Sequence, residues 1–192
     1  MTRKRIFVIT GPTGSGKTTV SRYLKDHYNM PQVITHTTRA PRQGEVDAVD
    51  YYFETAASFA TKHYLEHVTY SGQQYGSSRE GLAAAWEKAA NISIVLDTAG
   101  AVTYARELGE QAVIIYLKVS QQQALVDRLT KRGDPQLRIE RRVASKEYLR
   151  DQQLPAGLVG AAQVIVNDDW ATTTAALDAL VAPYQSAAES AN

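Results

Sequence analysis

The sequence predicts an α/β fold organised around a central parallel sheet, on three observations. Short, nearly continuous runs of β-branched and apolar residues recur at positions 6–10, 92–96, 112–119 and 164–166, the pattern of strands covered on both faces. Segments of helical spacing separate them, at 17–27, 79–90, 102–108, 121–131 and 139–151, with a last one from Trp170 towards Ala182. Strands alternating with helices favour parallel pairing through right-handed crossovers. A glycine-rich turn joins the first run to the first helix, which places an anion-binding element at the C-terminal end of the sheet.

Composition narrows the rest. At 192 residues and 44% hydrophobic, the chain can bury one core with insertions but not two full domains. Its 21 basic and 20 acidic residues leave a net charge of +1, so no global field attracts nucleic acid or an anionic membrane. No cysteine is present, which removes disulfides, thiolate metal sites and cysteine nucleophiles and suits a cytoplasmic protein. The apolar run that follows the basic start is too short for a signal peptide, and no stretch approaches the ~18 apolar residues of a membrane span. A soluble protein is expected.

The stretch 35–75 breaks the strand–helix rhythm. It is rich in Thr, Tyr, Arg, Pro and Gly and reads as an inserted lobe, leaving 1–34 and 76–192 as the core. A second irregular patch, 131–136, carries Gly133 and Pro135 among arginines and reads as a mobile loop between helices. Residues 186–192 offer nothing to pack and are expected to fray.

The residues GPTGSGKT, from Gly11 to Thr18, match the pattern Gly, four residues, Gly, Lys, Ser/Thr, directly after a strand and before a helix. Gly11, Gly14 and Gly16 let the backbone take left-handed angles, and Pro12, Thr13, Ser15 and Thr19 complete the turn and the first helical residues. Successive N–H groups and the helix dipole then form a cradle for a nucleoside triphosphate. Lys17 is placed to meet the β and γ phosphates and Thr18 to ligate Mg²⁺. In the insert, Arg39 and Arg42 flank a proline and are followed by Tyr51, Glu66, Tyr75 and Ser77. Paired guanidinium forks and phenol hydroxyls suit a phosphate dianion. A carboxylate suits guanine, which presents two adjacent donors.

In order and nearly in spacing, these stretches resemble the guanylate kinase family from Arg5 to about Leu180. The resemblance implies a phosphate-loop NTPase core of three layers, a GMP-binding lobe over 35–75 and a lid at about 129–142. It implies the reaction of ATP and GMP to ADP and GDP with Mg²⁺, with small-molecule nucleotides as partners. By that resemblance Arg39, Arg42, Tyr51 and Tyr75 hold the GMP phosphate, and Glu66, Ser77 and Thr35 read guanine. Asp97 reaches the acceptor or a Mg²⁺-bound water, and Arg39, Arg128, Arg132 and Arg142 join Lys17 around the transferring phosphoryl group. Asn167 contacts adenine. The chain departs from the family pattern at Val95 and Ala99, in a short helix before Glu66 and in a shorter lid loop. Two other readings of the residues stay open: a kinase for another small phosphate acceptor, and a non-catalytic interaction module on the same scaffold. Neither oligomeric state nor regulation is expressed in the sequence.

Overall fold

The computed structural model describes residues 4–70 and 72–189. In chain order the elements are β1 (Arg5–Thr10), α1 (Lys17–Tyr28), β2 (His36–Thr37), β3 (Tyr52–Phe53), α2 (Ala56–Phe59), β4 (Tyr64–Tyr70), β5 (Gln73–Ser78), α3 (Arg79–Lys88), β6 (Asn91–Val95), α4 (Thr98–Leu108), β7 (Ala112–Lys118), α5 (Gln122–Lys131), α6 (Gln136–Val143), α7 (Lys146–Asp151), β8 (Ala162–Val166) and α8 (Trp170–Glu189). The core sheet is parallel, in the order β6-β1-β7-β8. The 31–33 segment extends its β6 edge, with Val33 N–H donating to Ser93 O at 2.8 Å and Ser93 N–H donating to Pro31 O at 3.0 Å.

Side chains alternate across the sheet, as the period of a strand requires, and so build two cores. On one face Ile6, Val8, Ile92, Ile94 and Ile114 pack with Leu82 of α3 and Ala101 and Tyr104 of α4. On the other, Phe7, Ile9, Ile115 and Leu117 pack with Val20 and Leu24 of α1 and Leu177 and Val181 of α8. Helices on both faces make the core three-layered, as the sequence predicts. At the outer strand the expectation of burial on both faces fails, because β8 is an edge and leaves Val164 and Val166 partly exposed.

The insert forms its own four-stranded sheet, β3-β2-β5-β4. Pairing of β4 with β5 runs from Tyr64 opposite Ser78 to Tyr70 opposite Gln73. The lobe therefore extends to Ser78, past the boundary expected at 75, because β5 must match the length of β4 before the chain can turn into α3. The short helix expected before Glu66 is α2, closed by a capping box between Thr55 and Ser58.

Helix ends follow side-chain caps rather than hydrophobic periodicity. The helix predicted from 102 starts at Thr98, because the Asp97 carboxylate accepts from Gly100 N–H at 2.8 Å. The single helix predicted over 139–151 divides into α6 and α7, because the Ser145 hydroxyl accepts from Tyr148 N–H at 3.2 Å and starts a new helix. At the other end of the chain, α8 carries through Pro183 to Glu189, beyond the onset of the expected fraying, and positions 190–192 of that tail lie outside the described residues.

Ile115 is fully buried at the centre of the face between sheet, α1 and α8. Ile115→Ala is expected to lower stability by about 3 kcal/mol, read as a reduced midpoint with an unchanged slope in urea unfolding.

Candidate active site

The phosphate loop lies where β1 hands the chain to α1, at the C-terminal ends of the core strands. Gly11, Gly14 and Gly16 all adopt positive φ. At Gly11 the reason is close approach: a Cβ there would overlap the carbonyl oxygen of Leu117 on β7. At Gly14 a Cβ would stand 2.9 Å from Leu125 O of α5. Glycine is needed both for the backbone angles and for the fit against these neighbours. The loop is also pinned from its far side. Asn167, just after β8, donates from Nδ2 to Ser15 O at 2.8 Å and accepts at Oδ1 from Thr173 Oγ1 at 2.9 Å. Arg128 of α5 donates to Asn167 O at 2.6 Å and to Gly14 O at 3.4 Å.

Lys17 folds back over the loop, its Nζ donating to Gly11 O at 2.7 Å and to Pro12 O at 2.9 Å. Burial pushes its pKa down to about 8, against the pull of Asp151 and Asp97 and with the help of Arg142 and Arg132. The Ser15 hydroxyl is buried with no hydrogen-bond partner, an unsatisfied group inside a ring of backbone donors.

A cavity of about 670 Å³ opens between this loop, the insert sheet and α5–α7. Thr13, Gly14, Gly16, Lys17, Thr18 and Thr19 line its floor. Thr35, Arg42, Tyr51, Glu66 and Tyr75 line it from the insert. Asp97, Arg128, Arg132, Arg142 and Asn167 line it from the core and lid. Residues separated by most of the chain thus converge on one space.

Glu66 sits on β4 at 7% exposure. Burial raises its pKa to about 7, Asp97 adds to the rise, and Ser77 opposes it. Arg42 is held below its ordinary pKa first by burial and then by Arg39, Arg132 and Arg142. Of these, Arg42 from the insert and Arg132 and Arg142 from the 132–142 segment share the cavity wall with Lys17.

Several predicted residues stand differently from their expected roles. Arg39 is not on the cavity wall: its Nη1 and Nη2 each reach a Glu45 carboxylate oxygen at 2.9 Å, and its guanidinium lies 5.3 Å from the Tyr51 ring centre. A bidentate carboxylate and a nearby ring both favour the guanidinium, although its Nε is buried with no hydrogen-bond partner. Ser77 is fully buried and stands behind Glu66, donating to Oε1 at 2.9 Å. The Asn167 amide bonds to Ser15 O and Thr173 Oγ1, while the residue also lines the cavity. Asp97 caps α4 with one oxygen and accepts from Arg150 Nη2 at 2.6 Å with the other. Arg132 pairs with Asp134.

Glu45, Arg150 and Asp151 escaped sequence reading. Asp151, at 2% exposure on the cavity wall, accepts from Thr98 Oγ1 at 2.5 Å and Arg150 Nε at 2.9 Å. No local motif marks it, whereas Glu45, three residues after Arg42, could have been found as the carboxylate that neutralises the arginine pair.

A sequence profile described as Guanylate kinase matches residues 3–184. The chain belongs to the guanylate kinase family. It is 32% identical over 177 residues to a guanylate kinase of Chlamydia muridarum, covering 88% of this chain and 82% of that one. It is 34% identical over 172 residues to a guanylate kinase of Neisseria meningitidis serogroup A, covering 86% and 81%. In architecture it matches a crystal structure of guanylate kinase from Anaplasma phagocytophilum at a TM-score of 0.68 and 24% identity, over 96% of this chain and 88% of that one. Within the guanylate kinase core, the Asn167 staple gives a direct test. Asn167→Ala, which removes the side-chain donor to the buried Ser15 carbonyl while Thr173 keeps its bond to Asp169 O, should cost about 2 kcal/mol in chemical unfolding.

Proposed function

We propose that the chain is an ATP:GMP phosphotransferase, transferring the γ-phosphoryl group of ATP to GMP to give ADP and GDP with Mg²⁺. The observation that carries the reading is the polarity of this cavity: it is lined by a glycine cradle with Lys17, by a buried carboxylate, Glu66, and by Arg42, Arg132 and Arg142.

After burial, repulsion by Arg132 and Arg142 adds to the lowering of the pKa of both Lys17 and Arg42. A polyphosphate removes that repulsion, so the site is preorganised for anions. The loop N–H groups hold the β and γ phosphates, and Lys17 exchanges its contacts with Gly11 O and Pro12 O for phosphate oxygens. Arg42, Tyr51 and Tyr75 hold the acceptor phosphate in line. Arg39 joins them when it leaves Glu45. Glu66 accepts from the two adjacent donors of guanine, with Thr35 beside it on the cavity wall. The lid arginines, Arg128, Arg132 and Arg142, exclude water and balance charge in a loose transition state, where positioning and electrostatics do most of the catalysis.

Among the described residues no cluster of three or more carboxylate or imidazole groups could cage a metal. The oxygen donors near Lys17 are Thr18, Asp97 and Asp151. So sparse a hard donor set suits Mg²⁺, which keeps waters and phosphate oxygens in its shell. Bound there, the ion would neutralise charge on the donor phosphates. Thr18 would hold it directly and Asp97 through water, with Arg150 positioning the carboxylate. No helix of the described residues is long and apolar enough to cross a membrane, and a cytoplasmic enzyme acting on free nucleotides fits the near-neutral charge.

Lys17→Ala should abolish turnover in a coupled ADP-release assay, and near-normal rates in that variant would sink the mechanism. Glu66→Ala should weaken GMP by at least tenfold while leaving ATP nearly unchanged, and an equal loss for both nucleotides would remove the guanine assignment. A panel of GMP, dGMP, AMP, CMP and UMP in the same assay separates GMP from other acceptors.

The pH dependence follows from the same two groups. Guanine needs ionised Glu66, so GMP affinity should fall as pH drops below about 7. A triphosphate needs charged Lys17, so ATP affinity should fall as pH rises above about 8. At subsaturating substrate the rate should therefore peak between those values, with Glu66→Gln abolishing the acid limb.

A further inference from the structure

Behind Glu66 lies a chain of buried hydroxyls that the reaction does not use directly. Tyr104 is on the inward face of α4 with no exposure to solvent, and Ser77 on β5 is equally buried. The Tyr104 hydroxyl lies 2.8 Å from Ser77 Oγ, which lies 2.9 Å from Glu66 Oε1. Hydrogen-bond inventory fixes the direction of every proton. An ionised carboxylate can only accept, so Ser77 donates to Glu66. Having spent its one proton, Ser77 can only accept from Tyr104, so the phenol donates. Burial holds the phenol proton well above the ordinary tyrosine range, and the donor persists at every pH at which the protein functions.

The other oxygen of Glu66 faces elsewhere. Oε2 makes no hydrogen bond among the described residues and lies 3.0 Å from where a Cβ of Gly100 would stand. Glycine at that position, one turn before Tyr104 on the same helix, lets the carboxylate lie against α4 with Oε2 free. One oxygen is anchored and the other is available to a ligand.

We propose that Tyr104 is a positioning and specificity residue for the acceptor base, acting through Ser77 to hold Glu66 as an oriented, acceptor-only carboxylate that matches the paired donors of guanine. This rests on the guanine reading given above. Without the phenol, the Ser77 hydroxyl is free to rotate and accept a hydrogen bond from a protonated Glu66 Oε1, which favours the neutral carboxyl. A neutral Glu66 lacks the negative charge that strengthens its bonds to the paired donors of guanine, and the match is weakened. The groups that face Glu66 are Asp97 at the start of α4, whose charge favours protonation, and Ser77, whose hydrogen bonds oppose it. From farther off, the charge of Arg79 after β5 reaches Tyr104.

The experiment is Tyr104→Phe, which removes the hydroxyl and keeps the ring in the core. Titration calorimetry of GMP, IMP and ATP is run from pH 5.5 to 8.5, beside wild type and Glu66→Gln. The expected result is a roughly five- to tenfold weaker GMP affinity, as for loss of one neutral hydrogen bond, with ATP within twofold. The GMP advantage over IMP, which lacks the 2-amino donor, should shrink, and the midpoint of the GMP pH dependence should move upward. Unchanged GMP affinity, an unmoved midpoint, or equal losses for GMP and ATP would overturn the relay. If Glu66→Gln leaves GMP binding intact, the guanine assignment itself fails; if Glu66→Gln weakens GMP and Tyr104→Phe does not, only the relay does. Should Tyr104→Phe not fold, Ser77→Ala breaks the same link from its other end and is judged by the same GMP, ATP and midpoint criteria.

Discussion

The contact between the phosphate loop and β7 constrains everything else. At Gly11 the loop backbone lies against the Leu117 carbonyl with no space for a Cβ, so the cradle is packed onto the sheet and does not float above it. That contact requires β1 and β7 to be neighbours, in parallel register from Ile6 opposite Ala112 to Thr10 opposite Tyr116. It also requires α1 to leave the strand at a fixed angle, through a left-handed Gly16. An array of backbone donors can bind an anion only if its geometry is fixed before the anion arrives, since any ordering left undone is subtracted from binding.

Around this floor the walls are held in different ways. Asn167 and Arg128 hold the loop to β8 and α5 by backbone carbonyls. On the insert side the fixed group is a buried carboxylate, costly by itself, made tolerable by Ser77. The arginines are different. Arg39 rests on Glu45 and Arg132 on Asp134, each paired with a nearby carboxylate that a phosphate can replace. Such internal partners keep a dense cationic wall from destabilising the protein while no nucleotide is bound. The Val95 departure leaves an apolar residue on the wall near Asp97. Asp151, from α7, brings a second buried carboxylate to the same side, tied to Thr98 and Arg150.

The fold, and most of the residues that line the cavity, were legible in the chain because they depend on local chemistry. Isoleucine and valine runs identify β1, β6 and β7 whatever surrounds them, and GPTGSGKT encodes its own backbone angles. The insert's Arg42, Tyr51, Glu66 and Tyr75 were legible as residue types. What escaped depends on partners distant in sequence. Asp97 reads as a site carboxylate, but its pairing with Arg150 spans 53 positions. Asn167 reads as a base contact until its amide is seen to reach Ser15, 152 positions away. Two helix starts, after Asp97 and after Ser145, were set by caps that hydrophobic spacing does not show, whereas α3 starts at Arg79 as expected, capped by Ser78.

The sequence by itself determined that this protein holds a polyphosphate, in a parallel α/β scaffold, with a carboxylate and arginines in an inserted lobe. Strand propensity, glycine conformation and donor–acceptor chemistry belong to residues and travel with them. Only the tertiary structure decided which oxygen of Glu66 is anchored and which is free, because that depends on Tyr104 and Gly100 of α4 packing behind β4 and β5. It also decided which arginines face the cavity and which rest on a carboxylate. Orientation and pairing are properties of the packed state, set by where the two sheets and α4 bring their side chains to meet.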